Sequence, residues 1–161
     1  LGIGFAFQQP VHFKGITVYD LLKLSVGFDI STEDAFQILN KVGITSRDYL
    51  KREVNRSLSG GELKRIEIAT VLARNPLVTI FDEPEAGIDL WSFQSLTEVF
   101  REIESTSNGI TLVISHQERI LNIADEIILL ENGKITKIGD RSEMIDTIFH
   151  HEIDMEEDNN E

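Results

Sequence analysis

The chain has 161 residues, with 15 basic against 28 acidic side chains and a formal charge of −13. That balance excludes a nucleic-acid or anionic-membrane surface as its main business, because either would need an excess of Lys and Arg to meet phosphate. The absence of cysteine removes disulfides, thiolate catalysis and cysteine-ligated zinc or iron–sulfur sites, and no apolar run approaches a membrane span.

In chain order, Ile3-Gly4-Phe5-Ala6-Phe7 reads as a short buried strand stopped by Gln8-Gln9-Pro10, since proline cannot continue a ladder. The chain opens inside this apolar run at Leu1, so an N-terminal part is expected to precede it. Thr17 is a helix cap ahead of Val18, Leu21, Leu22 and Val26, and Gly27 ends that helix. Ser31-Thr32-Glu33-Asp34 starts a second helix carrying Phe36, Ile38, Leu39 and Val42, and a third helical piece covers 46–49. From Ser59 a longer helix places Leu63, Ile66, Ala69, Val71 and Leu72 at near-helical spacing and closes at Asn75-Pro76.

Leu77 to Phe81 is a continuous apolar run, the mark of a central parallel strand covered on both faces. Leu96, Val99, Phe100 and Ile103 stripe another helix, which stops before Ser107-Asn108-Gly109. Ile110 to Ile114 is a second buried strand, and a short helix covers 117–124. Asn132-Gly133 between two apolar stretches predicts a hairpin. The alternation of helix and buried strand gives a parallel α/β sheet with an antiparallel hairpin added near its end. Residues 152–161 are crowded with acids and read as a solvated tail.

Four features carry possible chemistry. Leu58-Ser59-Gly60-Gly61-Glu62 puts two glycines and a hydroxyl at a helix start, where backbone N–H groups and the helix dipole favour an oxyanion. A serine cap with glycines in a tight turn explains the pentapeptide equally well by itself. Asp82-Glu83 ends the central strand, at the edge where ligands of such sheets sit. One carboxylate there can hold Mg2+ through water and the other can polarise an attacking water. His116 follows the next strand, where an imidazole can meet a terminal phosphate. Gln8 follows the first strand, and a neutral amide can bind a water without competing for its proton. Asp89, His12, His150 and His151 say little alone.

As an ordered set, these residues resemble the ABC-type ATPases. Gln8 falls in the Q-loop, LSGGE at 58–62 is the signature motif, and LVTIFDE at 77–83 is the Walker B strand with its glutamate. Ala86-Gly87-Ile88-Asp89 takes the D-loop position and Ile114-Ser115-His116 the switch-histidine position. The resemblance runs from Ile3 to about Ile148. It implies a P-loop NTPase fold, with 1–9 and 58–148 as a partial RecA-like core, 10–57 as a helical subdomain and 149–161 as a disordered tail. It implies ATP and Mg2+ as cofactors, with Asp82 and Gln8 toward the metal, and Glu83, His116 and Gln8 toward the attacking water and γ-phosphate. Ser59, Gly60, Gly61 and Glu62 would face ATP held by a second, head-to-tail ABC subunit, and Asp89 would lie at that seam. No G-x-x-x-x-G-K-[S/T] phosphate loop occurs in the 161 residues. The family carries it upstream of the Q-loop, so this segment alone is expected to be inactive.

Within the family, Phe7-Gln8-Gln9-Pro10 with Gly15, and His116 to Leu121, resemble the Suf-type iron–sulfur cluster assembly ATPase. That branch implies soluble scaffold subunits as partners and a cytoplasmic location. Glu83-Pro84 is commoner in transporter motors, the alternative, which would dock on a membrane subunit. A non-hydrolysing interaction module on the same fold is a third reading.

Overall fold

The computed structural model describes residues 2–106 and 109–157. It divides into two compact units, Leu1–Ser115 and His116–Glu161. The division falls after the third strand.

In the first unit, β1 (Ile3–Ala6), β2 (Val78–Asp82) and β3 (Ile110–Ile114) form a parallel sheet in the order β1-β2-β3. The register pairs Ala6 with Phe81 and Asp82 with Ile114, so the carboxyl ends of all three strands share one edge. The connection from β1 to β2 carries α1 (Val18–Val26), α2 (Thr32–Lys41), a 3-10 helix (Arg47–Lys51) and α3 (Gly60–Ala73). Thr17 caps α1 in a reciprocal capping box with Asp20, and Gly27 ends it in the left-handed region at φ 82°. Ser31 caps α2. The insert is closed at its base by backbone bonds from Phe13 N–H to Val54 O and from Val18 N–H to Arg52 O. Both α1 and α2 pack on α3. Leu22, Leu39, Ile66 and Ile68 are fully buried, and each such side chain contributes about 1.5–3 kcal/mol over an exposed one. Asn75, left-handed at φ 45°, turns the chain out of α3 into Pro76.

α4 (Leu90–Thr106) links β2 to β3. Its Phe100 meets Phe81 of β2 edge-on, with ring centroids 4.9 Å apart. A Cβ on Gly4 would touch Val71 of α3, and Gly4 and Ala6 share a face with Phe81 by register. Both helices therefore cover the same side of the sheet. The opposite face, with Ile3, Phe5, Ile110, Leu112 and Ile114, is open among the described residues, and Ile110 is 68% exposed. This corrects the expectation of strands buried on both sides: β2 is central, but it is sheltered on one face, and β3 is an edge strand. The expected end of α4 at Ser107-Asn108 lies outside the described residues.

The second unit holds α5 (Glu118–Leu121), β4 (Glu126–Glu131), β5 (Lys134–Asp140) and α6 (Arg141–Glu157). Strands β4 and β5 make a separate two-stranded antiparallel sheet. Asn132 and Gly133, at φ 51° and 74°, supply the two left-handed residues that a tight hairpin turn requires. α6 packs on β5 and β4. It continues through most of the 149–161 segment expected to be disordered, and 158–161 lie outside the described residues. No described helix is long and apolar enough to cross a membrane.

Candidate functional site

The carboxyl edge of the parallel sheet gathers the predicted residues of the first unit. Gln8, two positions past the end of β1, donates its side-chain amide to the Glu83 carboxylate. Asp82 is the last residue of β2. Glu83 itself is left-handed at φ 40°, a conformation costing a side-chain-bearing residue about 1 kcal/mol or more. Two backbone bonds hold it there. Its N–H donates to Ile114 O at 2.9 Å, extending the β2–β3 ladder, and its carbonyl accepts from Ala86 N–H at 2.9 Å. Strain maintained in this way at a strand end is typical of a residue placed for function.

The signature segment is built as a helix start. Ser59 is the N-cap of α3, its Oγ accepting from Glu62 N–H at 3.2 Å while Glu62 Oε2 accepts from Ser59 N–H at 2.7 Å. Because Ser59 Oγ acts there as acceptor, its hydroxyl proton can still be donated outward. The N–H groups of Gly60 and Gly61 stand in the first turn, where no intrahelical carbonyl reaches them. A Cβ on Gly60 would sit 3.4 Å from the carbonyl of Gly87, so the signature and the D-loop segment touch within one chain. Asp89 is exposed just before α4.

Glu62 is engaged within the chain. Its carboxylate accepts from the Tyr49 hydroxyl as well as the cap, and Arg52 lies 4.0 Å from it and over the Tyr49 ring. Burial pushes its pKa up, but the bonds from Tyr49 and Ser59 outweigh that and leave it lowered. The same bond raises the Tyr49 pKa. Glu62 thus shapes the motif and fastens it to the 3-10 helix.

His116 lies past the end of the first unit. It opens the second unit, where its Nε2 lies 3.1 Å from the Gln117 amide nitrogen.

The Asp82 carboxylate, at the carboxyl edge of the sheet, is of the donor type that holds Mg2+. Asp82 is half-buried at the strand end, and no described side chain engages its carboxylate. No group of three or more metal-capable side chains gathers among the described residues. Mg2+ takes one or two carboxylates and completes its shell with water and phosphate oxygens. A cavity of about 260 Å³ is bordered by Leu72, Pro76, Thr79 and Val99, and another of about 170 Å³ lies along α3; neither includes Asp82 or Glu83.

Sequence reading missed four partners. Lys64 and Glu67 grip the backbone at Phe7 and Gln8. Glu85, buried after Pro84, accepts from the Ser115 hydroxyl and so joins the turn after β2 to the end of β3. Tyr49 holds Glu62. For Lys64 a signal existed: helical spacing puts it on one face with Ile68 and Val71, both buried.

Over 150 residues the chain is 35% identical to an uncharacterized ABC transporter ATP-binding protein of Methanocaldococcus jannaschii, covering 89% of this chain and 60% of that protein. An energy-coupling factor transporter ATP-binding protein of Mycoplasmopsis synoviae is 32% identical over 152 residues, covering 92% of this chain and 48% of its own length. The chain therefore spans less than two thirds of either relative. A dimeric ATP-binding cassette solved in a post-hydrolysis state with ADP and phosphate superposes with a TM-score of 0.74 at 22% identity, over 86% of this chain and 62% of that one. The fold is that of the P-loop ABC ATPases. With the ABC transporter family model matching residues 1–86, just over half of the sequence and every first-unit element up to the turn after β2, the chain belongs to the ABC transporter family.

Proposed function

We propose that this chain is part of the ATP-binding and ATP-hydrolysing motor subunit of an ABC membrane transporter, acting as one half of a head-to-tail pair. The observation that carries the proposal is the bond from Gln8 to Glu83 beside Asp82, at the shared carboxyl edge of β1 and β2. The transporter branch displaces the Suf-type expectation because both relatives are named as transporter ATP-binding proteins. Glu83-Pro84 agrees with that choice. The Suf-type scaffold reading keeps only the likenesses around Gln8 and His116.

Mg2+ and ATP, when bound, supply the transferable phosphoryl group and the charge that neutralises its oxygens. Asp82 would face the metal. Glu83, oriented by the Gln8 amide, would accept hydrogen bonding from the attacking water. Ser59, Gly60 and Gly61 would donate to the terminal phosphate of the nucleotide on the opposite subunit, with Glu62 stiffening their turn. Asp89 would lie at the seam between subunits, and His116 would approach the γ-phosphate. A phosphate loop is absent from the 161 residues and would have to come from outside them. Phosphoryl transfer depends mainly on positioning, so a site split between subunits ties turnover to their closure.

The groove of about 170 Å³ lined by Phe7, Val11, Phe13 and Leu21 among others would seat a membrane subunit. Through it the motor would be held at the membrane from the cytoplasmic side.

The test is ATP turnover by the full-length protein together with pull-down of a membrane subunit. Glu83→Gln is expected to lower kcat by about a hundredfold or more, with nucleotide binding retained. Turnover unchanged by Glu83→Gln would remove Glu83 from its assigned role, and a full-length protein with no turnover would leave the non-hydrolysing module as the reading. Co-purification with a soluble scaffold instead of a membrane protein would restore the Suf-type branch.

A further inference from the structure

Lys64 is 1% exposed, in the second turn of α3. A buried ammonium survives only when its donors are used, and here three partners surround it. It donates to the carbonyl of Phe7, lies 3.3 Å from the carbonyl of Gln8, and pairs with Glu67 at 3.2 Å. Glu67 in turn accepts from Phe7 N–H at 3.0 Å through its other oxygen. The parallel ladder of β1 ends at the Ala6–Phe81 pair. Beyond that point one helical ion pair holds the backbone that the sheet no longer holds, gripping Phe7 at both its N–H and its carbonyl. The next side chain, Gln8, is the one that reaches Glu83. Ser59, at the N-terminus of the same helix, is five residues before Lys64.

We propose that Lys64 and Glu67 are positioning residues: a buried latch on the signature helix that fixes the Phe7–Gln8 backbone, aims the Gln8 amide at Glu83, and carries displacement of the Ser59 end of α3 to that contact. The proposal rests on the hydrolytic reading of Gln8 and Glu83. Neither Lys64 nor Glu67 need touch nucleotide. A purely structural ion pair would stabilise the fold without influencing turnover.

The experiment uses the full-length protein, with Lys64→Met and the charge-balanced double variant Lys64→Met, Glu67→Met. Three readouts are taken: amide hydrogen exchange at Phe7–Gln9, the thermal midpoint, and kcat with KM for ATP. The latch predicts exchange at Phe7 faster by on the order of tenfold in both variants, from loss of its acceptor or of that acceptor's partner. It also predicts kcat lower by about tenfold or more with KM nearly unchanged, from a misplaced Gln8. The double variant removes the unpaired buried carboxylate, so its midpoint is expected to recover relative to Lys64→Met while its kcat stays low. Recovery of kcat together with the midpoint would overturn the coupling role, and so would unchanged exchange at Phe7. A parent protein without ATP turnover would refute the hydrolytic reading alone. The exchange arm then decides the latch, unchanged Phe7 protection overturning it.

Discussion

Gln8 and Glu83, 75 positions apart in sequence, are joined side chain to side chain because β1 and β2 run parallel and end together. The amide donates, so the carboxylate is oriented while its charge is kept. Gln8→Ala is therefore expected to lower kcat of the full-length protein by about tenfold to a hundredfold. KM for ATP should change little, because Gln8 bears on the attacking side rather than on nucleotide binding. Steady-state kinetics check this, and a change confined to KM would contradict it.

Glu83 is held at φ 40° by bonds to Ile114 and from Ala86. Glycine takes that conformation without strain, although it also loosens the unfolded chain. Glu83→Gly is expected to be neutral to stabilising, by up to about 1 kcal/mol, while abolishing turnover. Chemical denaturation alongside an activity assay would show the two effects moving in opposite directions.

The Glu62 carboxyl titrates below its ordinary value of 4.5, because bonds from Tyr49 and Ser59 outweigh its burial. A lowered carboxylate pKa stabilises the fold fully above the unfolded value, and the contribution disappears as pH falls through the folded one. The excess in thermal midpoint of the parent over Glu62→Gln should thus be present near neutrality and shrink as pH falls below 4.5, disappearing once the folded carboxyl is protonated. A gap independent of pH would assign the contribution to packing instead of charge.

Gly109 lies where an added Cβ would come within 2.7 Å of the Leu77 carbonyl oxygen, a backbone atom with little room to yield. Gly109→Ala should destabilise the protein by about 1–3 kcal/mol. Equilibrium denaturation measures it; a neutral result would show that the β2–β3 entry relaxes.

The fold was legible in the sequence wherever a local signal acts alone. Thr17, Ser31 and Ser59 each cap the helix they predict, and Asn132-Gly133 makes the hairpin. What a run such as Ile110 to Ile114 does not disclose is how many layers stand against it; apolar composition fits a strand sheltered on either one or two sides. The hairpin likewise announced its turn but not its separation from the parallel sheet. Acidic composition at 149–157 gave no sign of the helix that runs on from Arg141. At the candidate site, strand ends pointed to Gln8, Asp82 and Glu83. Lys64 showed only through its helical register with Ile68 and Val71, and Glu67 stayed hidden because a charged helical residue is ordinarily solvent-facing and its partner, the Phe7 N–H, has no sequence signature.

The uncovered side of the sheet, carrying Ile3, Phe5, Ile110, Leu112 and Ile114, leaves apolar surface in water even in the native state. Denaturant sensitivity and the heat capacity of unfolding both scale with the surface newly exposed. The 161-residue chain should therefore unfold with a shallow denaturant slope and a low heat-capacity increment for its length. Both quantities would rise together whenever another layer settles on that side, so they report its covering without requiring any assay of chemistry.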